Sequence, residues 1–280
     1  MTHPPPIRRL EQLCWPQILE QAARPGSTVI WPFGAIEQHG PHLPVGTDAL
    51  FAERVCEAVL ARLDPALPIW RLPLQSFGFS PEHRGFPGTL SLRSELVIAL
   101  VRQVGRDLAA AGVQRLVLLN AHGGQPQVLE IAARDLHQIH GDFMVFPLFV
   151  WAVPNCAGDL LTPKELELGI HAGDAETSLM LSMLPDQVRQ DRAQAEFPQD
   201  LPTDSWLTME GALPFAWTTR DLSASGVLGD PTVATAAKGE QLLQSLAQGW
   251  VRALEDIYRF RQPQATLAGG QRDGLEGERV

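Results

Sequence analysis

Four groups able to bind a metal ion or carry a proton, Glu37, His39, His42 and Asp48, fall within twelve residues that also hold two prolines and two glycines. The stretch, residues 33–48, reads F-G-A-I-E-Q-H-G-P-H-L-P-V-G-T-D. In an extended segment side chains two apart project to the same side. Glu37 and His39 can therefore converge on one point while Gln38 faces away. Asp48 opens the helical pattern of residues 49–63, so its carboxylate can swing back over the same crevice. A mixed oxygen and nitrogen donor set of this kind suits zinc, manganese or iron and is poor for calcium. The plainer alternative makes Asp48 or Thr47 a helix cap and the histidines ordinary loop polar groups.

The surrounding pattern says what must position these groups. Residues 28–33 form an apolar run with no helical period, the signature of a buried strand in a parallel sheet. The stretch thus follows a strand's carboxyl end, where open α/β sheets bind ligands. Residues 68–74 offer a short strand, and residues 75–89 a long loop containing S-P-E-H-R-G-F-P-G. A loop of that length in a compact domain is more often a lid or a subunit contact than an accident, and His83 can reach the site from it. Residues 92–111 read as a helix with Leu96, Leu100, Val104 and Leu108 inward, stopping at Gly112. Residues 114–119 are a second apolar strand running into N-A-H-G-G-Q (120–125), followed by a helix over 128–140 and a strand over 143–150 that ends at Trp151. Two crossovers in series imply a parallel sheet covered on both faces. A third polar island, H-A-G-D-A-E-T-S (171–178), opens an apolar helix that stops at Pro185. Taken alone, Glu176 there is explained by the helix dipole. Residues 189–217 read as irregular, and residues 232–258 as a long helix burying Leu242, Leu243, Leu246, Trp250 and Leu254.

The whole fits a single catalytic domain over residues 1–261 with a flexible tail over 262–280, rich in glycine, glutamine and charge. No run of eighteen apolar residues is present, which excludes a membrane helix. A net charge of −10 disfavours nucleic acid as a partner. The three cysteines, Cys14, Cys56 and Cys156, make no C-x-x-C pair. With no secretory pattern at the N-terminus, they point to a reducing, cytoplasmic setting.

The three polar segments in this order, with E-H-R-G-F-P-G-T-L-S and the closing G-V-L-G-D-P-T, resemble the creatininase family of metal-dependent amidohydrolases over about residues 10–258. The resemblance implies a three-layer α/β/α sandwich with a mostly parallel sheet and two divalent ions per subunit, zinc or manganese. It implies Glu37, His39, Asp48 and His122 as ligands, Asp48 bridging, with Glu176 completing the set. It further implies cleavage of an amide or cyclic C–N bond of a small molecule by a metal-activated water, and a homo-oligomer, commonly a hexamer. The catalytic residues expected are His171 and Glu176. An imidazole titrating near ~6.5 can take and give the proton, although His171 could instead orient a ligand. Substrate contacts are expected from His83, Gly123 and Trp151, and His42 is expected either to support a ligand from behind or to be structural. One departure bears on substrate. Creatininase proper carries an aromatic residue and then a metal-binding glutamate after the second-motif histidine, where this chain has Gly123 and Gly124. That ligand role is expected to pass to Glu176. Creatinine is then a weaker expectation than the wider family's substrates, which include a formamidopyrimidine nucleotide, an inosose derivative and the mycofactocin precursor peptide. Phosphoester hydrolysis would want a cationic clamp, and only Arg84 on the lid loop offers one; a purely structural zinc would favour cysteine and histidine in a closed site.

Overall fold

The computed structural model describes residues 8–199, 201 and 205–263. Four strands, β1 (Thr28–Phe33), β2 (Ile69–Arg71), β3 (Arg115–Asn120) and β4 (Met144–Phe149), form one sheet in the order β2-β1-β3-β4, every pair parallel. The helices are α1 (Trp15–Ala22), α2 (Thr47–Leu60), α3 (Ser94–Ala110), α4 (Pro126–Ile139), α5 (Ala157–Leu160), α6 (Pro163–Leu168), α7 (Asp174–Met183), α8 (Thr219–Leu222) and α9 (Ala236–Arg259). Phe33 pairs with Asn120, and Asn120 with Phe149. Three strands therefore finish level, and the loops that leave them share one edge.

The strands' period of two sorts their side chains into two cores. Val29, Trp31 and Phe33, with Leu116 and Leu118, pack against Ala22 of α1, Val97, Val101 and Leu108 of α3, and Leu129, Ala132 and Leu136 of α4. Ile30, Val117 and Leu119 point the other way, onto Phe51, Val55 and Val59 of α2, Leu179 of α7, and Leu242, Leu246, Trp250 and Leu254 of α9. The result is the three-layer α/β/α sandwich expected from the sequence. The indole of Trp250 stays satisfied in this core by donating to the Val150 carbonyl at 2.9 Å. A proline inside a central strand would normally cost a ladder bond. The even positions of β1 bond toward the β2 side, where Leu72 N donates to Ile30 O and Gln75 N to Pro32 O. By Pro32 the strand β2 has already ended, so the missing N–H faces no ladder.

Several boundaries differ from expectation. β2 covers three residues rather than the whole of 68–74, and the terminal helix begins at Ala236 because Pro231–Val233 forms a separate 3-10 turn. The buried stripe of α3 is also one position off: Val97, Val101, Gly105 and Leu108 face inward, while Leu96 is 47% exposed. The reason is Gly105, where an added Cβ would press on Leu136 of α4, its Cδ2 only 2.9 Å away. The bare glycine lets α4 approach and turns the helix toward it, so the larger row at Leu100 and Val104 lies on the flank. The described residues among 189–217 are irregular, as expected, apart from a 3-10 turn at Gln190–Arg192 and isolated bridges at Glu196 and Thr208; residues 200 and 202–204 lie outside the described residues. Most of the expected tail, residues 264–280, lies outside the described residues. Among the described residues no helix is long and apolar enough to cross a membrane.

Filling that contact tests the packing account. Gly105→Ala gains about 1 kcal/mol of helix propensity but overpacks a closed core, which costs roughly 1–3 kcal/mol. Chemical denaturation should show a net loss of up to about 2 kcal/mol; a stabilised variant would mean that Leu136 moves aside freely.

Candidate metal centre

The loop leaving β1 is pinned before it reaches its first acid. Gly34 N donates to Gln75 O, Leu90 N to Ile36 O at 2.8 Å, and Glu37 N to Val45 O at 2.8 Å. Glu37 and His39 are both fully buried. Nδ1 of His39 lies 3.2 Å from the Glu37 carbonyl, an acceptor that takes the ring proton and leaves Nε2 free on the inner side. The helix α2 then brings in Asp48. Gly34 permits this, since a Cβ there would strike the Ala49 backbone at 2.5 Å. Neither Thr47 nor Asp48 caps the helix: Gly46 holds the N-cap position without a side-chain bond.

The two oxygens of Asp48 face different imidazoles. Oδ1 is 3.2 Å from His39 Nε2, and Oδ2 is 3.2 Å from His122 Nδ1. Nδ1 of His122 also lies 3.2 Å from Glu37 Oε2, and Glu176 Oε2 stands 3.9 Å from His39 Nε2. His122 is held by its own loop, where Asn120 takes the His122 N–H at 3.0 Å, donates to its carbonyl at 2.7 Å, and is braced by Gln125. Glu176, in the first turn of α7, accepts the Ala172 N–H at 2.6 Å. That contact holds Ala172 in a left-handed conformation, φ 53°, which costs a residue with a side chain of order 1 kcal/mol or more.

The remaining expected groups also converge. His171 sits between His39 and His83, with ring centroids 4.3 and 4.1 Å away. Its Nε2 is 2.7 Å from the Gln38 carbonyl and its Nδ1 3.8 Å from Glu37 Oε1. His83 does reach in from the lid loop, its Nε2 3.3 Å from Glu37 Oε1 and its Nδ1 2.7 Å from the Thr219 hydroxyl. Two further groups, Gln38 and Glu82, have surroundings the sequence did not show. Gln38 does face away from Asp48 but lies buried beneath the cluster, its amide 2.9 Å from His83, 3.1 Å from His171 and 3.0 Å from the Gly226 carbonyl. Trp151 rests against Phe51, ring centroids 5.4 Å apart, at the margin of the α2 core. Glu82 went unnoticed: its Oε1 is 3.1 Å from His122 Nε2. The adjacency of Glu82 and His83 in S-P-E-H was the available signal. Gly123 leaves open space, with Glu210 Oε1 3.8 Å from where its Cβ would be. Arg84 is exposed on the loop.

The donor set fits a divalent metal. Buried carboxylate oxygens normally carry hydrogen bonds, yet Glu37 Oε1 and Asp48 Oδ2 have none. Two ligands of one tetrahedral ion at about 2.1 Å stand about 3.4 Å apart, close to the 3.2 to 3.9 Å seen here. Donor atoms of Glu37, His39 and Asp48 lie within 4.8 Å of one another, as do those of Glu37, Glu82 and His122 and those of His39, His171 and Glu176. The electrostatics agree. Burial pushes Glu37 up to about 7 despite His122. Burial opposes charge on His39, but Asp48, Glu176 and Glu37 outweigh it and lift the ring to about 10. Burial would raise Asp48 as well, yet His39 and His122 hold it well below the usual carboxylate range. A cluster that recruits protons onto its imidazoles in this way is short of positive charge.

A family model described as creatinine amidohydrolase matches residues 11–254. The chain belongs to the creatininase family. It is 35% identical over 231 residues to the mycofactocin precursor peptide peptidase of Mycobacterium tuberculosis (strain CDC 1551 / Oshkosh), covering 80% of this chain and 83% of that one. It is 29% identical over 261 residues to the creatinine amidohydrolase of Pseudomonas putida, covering 88% and 96%. A solved structure titled "Creatininase Mn" superposes with a TM-score of 0.73 at 28% identity, covering 90% of this chain and 99% of the other. Creatininase-family membership makes the chain a hydrolase, and the level strand ends that carry its polar cluster belong to that shared fold.

His42 serves the scaffold, as expected. It is buried, its Nε2 2.8 Å from the Thr177 hydroxyl, and burial, aided by His39, lowers it to about 4. The unfolded chain therefore takes up this proton first, near ~6.5. In metal-free protein the His42 contribution to thermal stability should be fully present above about 6.5 and be lost as pH drops toward about 4. His42→Gln should remove this part of the acid sensitivity; an unchanged profile would show that His42 does not carry it.

Proposed function

We propose that this chain hydrolyses an amide or cyclic C–N bond of a small substrate at a centre of two divalent ions, zinc or manganese. Glu37, Asp48 and His122 would hold one ion, and His39, Asp48 and Glu176 the other. The observation that carries this reading is the pair of Asp48 oxygens, each set 3.2 Å from a different imidazole. Divalent ions held there would supply Lewis acidity, lowering the pKa of a bound water toward ~7 and polarising a carbonyl.

The chain's own groups supply the rest. The Gln38 carbonyl takes the Nε2 proton of His171, which leaves the Nδ1 lone pair directed toward Glu37. Burial and the neighbouring His83 and His39 hold His171 well below its usual range, so at neutral pH it is an acceptor. His171 takes a proton from the attacking water and returns it to the leaving nitrogen. His83, buried and lowered to about 3, stays neutral as well and walls the site on the lid side. Gly123 leaves that side of the second loop free of side-chain bulk for substrate. A second reading, cleavage of a peptide amide, is favoured by the 35% identity to the mycofactocin precursor peptide peptidase and by the same open wall. A cytoplasmic homo-oligomer accompanies either reading, with a hexamer expected by light scattering.

Elemental analysis of the purified protein should give two ions per subunit. Asp48→Ala should lose both together with nearly all turnover, and a variant with full metal content would sink the bridging role. His171→Ala should keep both ions and lose about 10² to 10⁴ fold in turnover; unchanged turnover would remove it from the chemistry. Assay of the loaded protein against creatinine, formamides and short peptides separates the two substrate readings.

A further inference from the structure

His122 has a polar neighbour on each side. Nδ1 faces Glu37 and Asp48, while Nε2 lies 3.0 Å from the Phe79 carbonyl and 3.1 Å from Glu82 Oε1. Both neighbours of Nε2 are acceptors, so Nε2 carries the ring proton and Nδ1 is the nitrogen offered to an ion. A histidine ligand whose outer N–H meets a carboxylate is fixed in tautomer and orientation, and its basicity is raised. Glu82 stands in that outer position.

Glu82 has room because residue 124 has no side chain. A Cβ built on Gly124 collides with Glu82 Oε1, lies 2.7 Å from the Glu82 carboxyl carbon and 2.6 Å from His122 Nε2. The Gly124 backbone is not in the left-handed region that favours glycine, so steric room is what the position requires. Glu176 does not fill this place, since it stands beside His39 on the opposite side of Asp48. The carboxylate arrives instead from the lid. The turn Pro81–His83 inserts Glu82 beside His122 and His83 beside Glu37, and Ser80 Oγ hydrogen-bonds Glu37 Oε2. Arg220 fastens the loop from outside, donating to Gly85 O at 2.8 Å and lying 4.2 Å from the Phe86 ring.

We infer that Glu82 is the positioning residue that holds His122 for its ion, and that Gly124 is glycine because the Glu82 carboxylate fills the space a side chain there would take. The inference rests on the metal reading above and adds a lid residue to it. Lid seating and ion retention then become one event, because the carboxylate that steadies the ligand belongs to the loop that covers the site.

Chelator competition on the zinc-loaded protein tests this without any substrate, with a cobalt(II) spectrum as a second readout of the ligand field. Glu82→Ala should weaken retention of one of the two ions by about 10 to 100 fold. Glu82→Gln, whose amide oxygen can still accept the Nε2 proton, should keep the ion better than Glu82→Ala. Gly124→Ala should weaken the same ion, since its Cβ meets both the Glu82 carboxylate and His122 Nε2. Wild-type retention in Glu82→Ala, or a Glu82→Gln that loses as much as Glu82→Ala, overturns the inference. Should Gly124→Ala not fold, the two Glu82 variants decide. An unaltered protein that binds no ion would instead sink the metal reading itself.

Discussion

Asp48 is the group on which the rest of the site depends. A carboxylate almost wholly removed from water is costly unless opposite charge lies beside it, and here two imidazoles borne on two different strand-end loops stand 3.2 Å from its two oxygens. The level ends of β1 and β3 make that possible, because the registered pair Phe33 and Asn120 starts both loops from the same height. The parallel sheet therefore does more than fill the core: it sets the spacing at which one acid can be shared.

Around Asp48 the chain has gathered negative charge beyond what its own cations offset. Glu37, Glu82 and Glu176 line the cluster, and no lysine or arginine is among its hydrogen-bonding partners within the described residues. The imidazoles respond in two classes. His39 and His122 sit against carboxylates and are drawn toward the charged form, while His83 and His171, stacked on one another, are kept neutral. That division separates groups suited to exchanging a proton for a metal from groups that keep a free lone pair at neutral pH.

Much of this was legible in the chain itself. Strand-then-glycine-loop punctuation located two of the strand-end loops, and the spacing of Glu37, His39 and Asp48 announced a convergent site before any coordinates. Glu82 adjoins His83 in the chain, but its place beside His122 depends on room left at Gly124, forty-two positions away; an absent side chain leaves no periodicity to read. The α3 stripe was misjudged for a related reason, since Gly105 attracts its neighbour by lacking bulk.

The helix α2 carries Asp48 at one end and, three residues on, the buried Phe51. Successive residues of a helix are offset by about 100°, so the phase that seats Phe51 in the core is the phase that aims Asp48. Substitutions among Phe51, Val55 and Val59 that rolled this rod by even part of a turn would misdirect the acid without touching it. A change in what such an enzyme accepts is thereby more readily carried by the covering loop, whose side chains can be exchanged while the rod stays keyed.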